Sequence, residues 1–517
     1  RYSLLDSALS TQHWSEAMPH YDLLIRHATL ATDPTLPRTD LAASDGQIVA
    51  IAPELPGTAT TEIDATGLHL FPGVIDAHVH FDEPGRTDWE GFHTGSRAFA
   101  VGGGTTYFDM PLNAHPPTID AASFDAKLAA AQASSLTDFA LWGGLVPGNL
   151  DHLPELAERG VIGFKAFMSR TGTDDFQAAD DLTLYEGMAR AATLGRLVAV
   201  HAENDHLTAA LAQRAIAAGR TGVRDYLDSR PAIAELEAIT RAITFAEDTG
   251  CALHIVHVST GRGVTLVAAA QAHGIDVTCE TCAHYLVFTE EDVERLGAVA
   301  KCAPPLRPQA EQDALWSHIA TGTLPIITSD HSPAPPSMKE GDNFFTIWGG
   351  ISGCQSTLPA LLTAAPSHDI SLPAIAALTA TNVARRFALP HKGTLTPGHD
   401  ADLALIDLTH TSTLQPTDLH YRHQMSPYIN RQFHARTNGC TILRAQVITH
   451  NGKIVAQPPA MEALGLPSGR SRRKSMQGFN LAKHQPRYQP PPATVFSGRW
   501  RARCRPQRRA KMRAVPP

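Results

Sequence analysis

The chain has 517 residues, 43% hydrophobic and 18% charged, enough to bury a large core and to form roughly two to four domains or one barrel with an appendage. No window approaches the ~18 uninterrupted apolar residues of a membrane-spanning helix, and the first residues lack the basic, apolar, small-residue order of a secretory signal, so a cytoplasmic protein is expected. The formal charge of -8 is unevenly spread: Arg470 to Arg513 carries 14 Lys and Arg and no acid, leaving 29 bases against 51 acids elsewhere, a balance that argues against nucleic acid as the main partner.

Residues 1–20 read as an N-terminal extension. From 21 to 70, short apolar and polar runs broken by turn residues ("YDLLIRHATL", "DGQIVAIAP") predict small β-structure. From 71 to 391 the rhythm changes. Apolar runs alternate with Ala- and Leu-rich helical stretches such as "SFDAKLAAAQASS" and "PAIAELEAITRAITFAED", the pattern of parallel α/β architecture. The candidate strands are "GVIDAHV", "TTYFDM", "FALWGGLV", "IGFKAFM", "LVAVHAE", "LHIVHVS", "DVTCET" and "LPIITSD". Eight such units suit a (β/α)8 barrel, whose chemistry sits at the C-terminal ends of its strands. Residues 392–457 return to the short-strand texture of 21–70, so the two segments are expected to pair into one small β domain. The stretch 458–517 is a basic Pro/Arg-rich tail, expected to be disordered or only locally ordered, a solvated appendage. Seven scattered cysteines, with Cys279 and Cys282 an isolated C-x-x-C, predict reduced and mostly buried thiols.

Several of these strands end in side chains able to bind metal. In "FPGVIDAHVH", His78 and His80 are two apart, so on a strand both point to one face and can clamp one cation. His201 ends "RLVAVHAE", His257 ends "ALHIVHVS" and Asp330 ends "PIITSDHSP". Imidazole nitrogen suits zinc, and a carboxylate can both bind a metal and exchange a proton. Within "HIVH", His254 falls on the opposite face from His257 and is read as structural. Lys165, in the apolar strand "GVIGFKAFM", is costly to bury as an ammonium. Either it is salt-bridged, or it is carbamylated by CO2 into an anion long enough to bridge two metals; periodicity leaves both open.

The ordered set "FPGVIDAHVHFDEPGRTDWEGF", "GGGTTYFDMPLN", "GFKAFMS", "VHAEN", "HIVHVST", "ETCAHYLVFT", "CAPPLR", "ITSDHSP" and "WGGISGCQ" resembles the cyclic amidohydrolases of the amidohydrolase superfamily, and within them the allantoinase family, over about 21–455. The resemblance implies a TIM-like (β/α)8 barrel plus a small β-sandwich domain built from both chain ends, and a homo-oligomer, tetrameric in this family. It implies two divalent metal ions, with zinc, iron, manganese and cobalt all compatible. His78 and His80 would hold the more buried ion, His201 and His257 the more exposed one, with carbamylated Lys165 bridging and Asp330 completing the site. "DMPLN", "SDHSP" and "WGGISG" look like the allantoinase pattern, which makes Asn113 and Ser332 the contacts to a cyclic ureide substrate. Ala283, where proline is expected, and Ala303 depart from that pattern without touching a ligand position.

The implied activity is ring-opening of allantoin to allantoate, with Asp330 as general base and then acid. Dihydropyrimidinase or hydantoinase and dihydroorotase share the metal ligands and stand as alternatives; a catalytically silent structural relative is disfavoured because all six ligand positions are filled. Gly102 to Gly104 form a tight turn and not a phosphate-binding loop, so no nucleotide is expected.

Overall fold

Half-buried strands alternate burial residue by residue, whereas strands buried on both faces do not. Both kinds occur here, and they separate two parts of the chain. The computed structural model describes residues 18–435, 439–455 and 463–464. In its first part Thr58–Asp64 alternates strictly between exposed and half-buried residues. This strand belongs to a nine-stranded mixed sheet drawn from both ends of the chain: His20–Leu30, Thr39–Ser44, Gln47–Ala52, Thr58–Asp64 and His69–Pro72 join Leu403–Ile406, Cys440–Leu443, Gln446–His450 and Lys453–Ile454. The seam is the antiparallel pairing of His69–Pro72 with Leu403–Ile406, which places Leu70 opposite Leu405. Leu23, Ile25, Leu41, Leu70, Leu403 and Ile442 share one core beneath it. The expected pairing of two sequence-distant β segments is therefore present.

Between the two halves of that sheet the strands are parallel and, Phe167 apart, buried along their length. Val74–Val79, Gly104–Asp109 and Asp138–Leu141 form one sheet in chain order. Gly143–Gly144, Phe164–Phe167, Val198–His201, Leu253–Ile255, Val277–Cys282 and Ile326–Thr328 form a second, also in chain order. The run read as a single strand "FALWGGLV" breaks at Trp142, whose indole N–H donates to the Ala77 carbonyl at 3.0 Å. A Cβ on the following Gly144 would meet Phe176 at 2.7 Å and Ile119 at 2.9 Å, so only glycine fits there. The last and first parallel strands also meet. Val79 bridges His331 in parallel, the His80 N–H donates to the His331 carbonyl at 2.7 Å, and the Ser329 N–H donates to the Asp76 carboxylate at 3.1 Å.

Helices such as Ala121–Ser134, Ala232–Thr249 and Gly261–Ala272 connect the strands. Their starts are set by local chemistry: Asp120 accepts the Ser123 N–H in a reciprocal capping box, and Thr260 accepts the Gly263 N–H. At the junction with the nine-stranded sheet, buried Lys392 reaches Asp402 at 2.6 Å, Asp138 at 2.8 Å and Asp400 at 3.2 Å. Within the stretch expected to be a basic tail, Ala463 bridges Phe139 and the Leu464 N–H donates to the Phe139 carbonyl at 2.7 Å; these two apolar residues make contacts that a charged segment lacks. The rest of that expectation, and residues 1–17, lie outside the described residues. Among the described residues six cysteines are free and buried, in line with the expected reduced thiols. Among the described residues no helix is long and apolar enough to cross a membrane.

Candidate metal centre and active site

The ends of the parallel strands open on a cavity of about 470 Å3, lined by His78, His80, Asn113, His201, His257, Asp330 and Ser332 among others. Seven residues singled out from the sequence thus meet in one place. His78 and His80 share a strand face as their spacing requires, with ring centres 5.4 Å apart. Asp330 Oδ1 lies 3.2 Å from His78 Nε2 and 3.5 Å from His80 Nε2. The second imidazole pair is as close: His201 Nδ1 is 3.0 Å from His257 Nε2, and His257 lies 5.4 Å, ring to ring, from His78. Burial pushes His78 and His257 well below the ordinary histidine range and lowers His201. Neutral imidazoles with converging lone pairs are what a divalent cation requires.

Lys165 sits in Phe164–Phe167, paired with Ala199 of the neighbouring strand that ends in His201. It is fully buried, and its Nζ has no hydrogen-bond partner. Burial pushes the amine down to about 7, against the opposing pull of Asp330 and Glu280. Lys165 in turn depresses His78, His201 and His257, because its ammonium would repel an imidazolium at any of them. The salt-bridged alternative for this lysine has no partner among the described residues. A neutral, unpartnered amine beside four imidazoles and a carboxylate fits conversion to a carbamate that would share cations with them.

Three of the site positions adopt backbone that side chains other than glycine rarely take: φ is 66° at Asn113, 41° at His257 and 44° at Asp330. Each such residue costs on the order of 1–3 kcal/mol, a strain typical of functional loops. His257 and Asp330 occupy the first turns beyond their strands, Leu253–Ile255 and Ile326–Thr328, and the left-handed backbone turns their side chains into the mouth. Asn113 Nδ2 donates to Ser332 Oγ at 3.4 Å, joining the two expected substrate contacts at the cavity wall.

A second layer of residues was not anticipated. Glu280 bridges two imidazoles, its Oε1 at 2.7 Å from His78 Nδ1 and its Oε2 at 3.0 Å from His254 Nε2. His254, bonded also to Thr278, has the structural place expected of it. Glu203 Oε2 accepts from His201 Nε2 at 2.9 Å and is paired with Arg230. Burial works to raise the Glu203 carboxyl, yet Arg230 and His201 bring it down to about 2. These contacts leave His78 Nε2 and His201 Nδ1 facing the site. The available signals were an acid two residues after His201 in "HAEN" and an acid inside the apolar strand of "CETC".

Fold and site together define a metal-dependent hydrolase type, and the sequence comparison agrees. The chain belongs to the amidohydrolase family, whose pattern matches residues 69–455. It is similar to the allantoinase of Rubrobacter xylanophilus, 58% identical over 85% of this chain and 97% of that protein, and to the allantoinase of Solibacter usitatus, 56% identical over 81% and 91%. Among solved structures it is similar to the L-hydantoinase (dihydropyrimidinase) of Arthrobacter aurescens, with a TM-score of 0.83 and 32% identity over 86% of this chain and all of that one.

Proposed function

We propose that this protein opens the hydantoin ring of allantoin, giving allantoate, in a closed (β/α)8 barrel flanked by a β-sandwich that both chain ends build, over 71–391 and over 21–70 with 392–457. The carrying observation is the 58% identity to an allantoinase along nearly its whole length, against 32% to a hydantoinase of the same fold. Barrel closure is supported by the Val79–His331 bridge between the last and first parallel strands.

The residues at the mouth fit two divalent cations: His78 and His80 would hold one, His201 and His257 the other, with carbamylated Lys165 between them and Asp330 beside the first pair. When bound, such cations supply an activated water at neutral pH and polarise a carbonyl oxygen. Asp330 accepts the proton of the attacking water as its oxygen bonds to the ring carbonyl carbon. It then returns that proton to the departing ring nitrogen as the C–N bond breaks, so water is added across the bond with no other co-reactant. Asn113 and Ser332 orient the ring or its ureido arm. Arg230 fixes Glu203, Glu203 fixes the His201 ring, and Glu280 fixes the His78 ring. Buried free thiols suit a reducing, cytoplasmic setting.

The test is ring-opening by the metal-loaded protein, with allantoin, hydantoin, dihydrouracil and dihydroorotate assayed in parallel. Turnover of allantoin well above the others supports the assignment. Preference for hydantoin or dihydrouracil moves the protein to the second reading, which the fold likeness to a hydantoinase favours.

A further inference from the structure

Asp330 stands between two donor sets. On one side are the imidazoles of His78 and His80. On the other, Cys282 Sγ, a ring nitrogen of His284 and a carboxylate oxygen of Asp330 all lie within 4.8 Å of one another. Cys282 and His284 are 0% and 1% exposed. The His284 ring bonds to the Ser329 backbone, while its Nε2 is buried without a hydrogen-bond partner. Cys282 Sγ has a long 3.7 Å contact with Thr328 Oγ1. A buried imidazole nitrogen with nothing to bond, beside a thiol and a carboxylate, is a site short of one ligand, and its third member, Asp330, lines the cavity.

We propose that Cys282, His284 and Asp330 form an inhibitory site for one thiophilic divalent cation, zinc in excess or cadmium, separate from the paired-metal centre and drawing on the same carboxylate. The thiolate, imidazole and carboxylate set selects such ions over magnesium or calcium, which take oxygen ligands. On binding, the Cys282 S–H bond breaks, its proton passes to solvent and a sulfur–metal bond forms, with no change of oxidation state. Asp330, once held by this ion, no longer accepts the proton of the attacking water. The inhibitory effect rests on the general-base role assigned to Asp330 above; the binding does not.

The experiment uses the full-length, zinc-loaded protein titrated with cadmium chloride. It follows the thiolate-to-cadmium charge-transfer absorption, the zinc retained and the rate of allantoin ring-opening. One further equivalent of cadmium is expected to raise the band and abolish turnover in parallel, with the loaded zinc kept. Cys282→Ala is expected to keep basal turnover, lose the band and require at least about 10–100-fold more cadmium for inhibition. His284→Gln, the second variant should Cys282→Ala fold poorly, is expected to weaken the band's titration similarly. No band in the parent, equal cadmium sensitivity in both variants, or zinc released in step with inhibition would overturn the proposal. The band reports on the site even if allantoin is not the substrate, so failure of the site and failure of the assigned activity are distinguishable.

Discussion

Two buried lysines show how differently this fold treats the same side chain. At the junction of the nine-stranded sheet with the parallel strands, Lys392 faces Asp138, Asp400 and Asp402, which raise its pKa despite burial. At the cavity, Lys165 faces imidazoles and has no partner for Nζ, and burial brings it down to about 7. The first is a charge neutralised for architecture. The second is an amine whose charge burial disfavours, and the uncharged form is the one that reacts with CO2.

Exchanging each lysine for methionine separates the two cases most sharply. Lys165→Met is expected to reduce metal content and ring-opening to background while the melting temperature of the metal-free protein holds or rises, since an unpartnered buried amine is replaced by an apolar chain of similar length. Lys392→Met is expected to cost about 3–5 kcal/mol of stability by leaving buried carboxylates uncompensated, with metal content per folded molecule unchanged. Metal analysis and thermal melts on both variants read this out. A Lys165→Met protein that keeps its metals would erase the contrast.

Asp330→Ala comes next in size, with ring-opening falling about 10²–10⁴-fold while the protein stays folded and most metal is retained. A kcat within a few-fold of the parent would remove Asp330 from the proton path. Glu203→Leu acts one contact further out: it frees the His201 ring, and a loss of about 10–100-fold in affinity for the metal that His201 and His257 would hold is expected by competition with a chelator.

The pH dependence of metal loading has a fixed sign. Carbamate forms from the neutral amine, and Lys165 is neutral above about 7. Loading from bicarbonate and metal should therefore rise as pH increases through that value and fail below it. Loading that is flat across this range would mean that Lys165 is not the residue that captures CO2.

Much of this was legible in the chain. The spacing of His78 and His80 fixed their common face, and the recurrence of apolar runs ending in His201, His257 and Asp330 placed them at one end of parallel strands. The break at Trp142 was not legible, because "FALWGGLV" is apolar throughout and its interruption depends on an indole reaching Ala77. Nor were the roles of Glu203 and Glu280: a buried carboxylate reads as a cost until its partners are known, and Arg230, His254 and the ligand histidines come from distant parts of the chain. The left-handed backbone at His257 and Asp330 is equally invisible in sequence, since neither is glycine.

The most direct measurement is metal content per chain together with the carbamate signal after loading in isotopically labelled bicarbonate, for the parent and for Lys165→Met. The account predicts two divalent ions and one labelled carbamate in the parent, and neither in the variant. An active parent with no carbamate, or a variant that binds both ions, would contradict it.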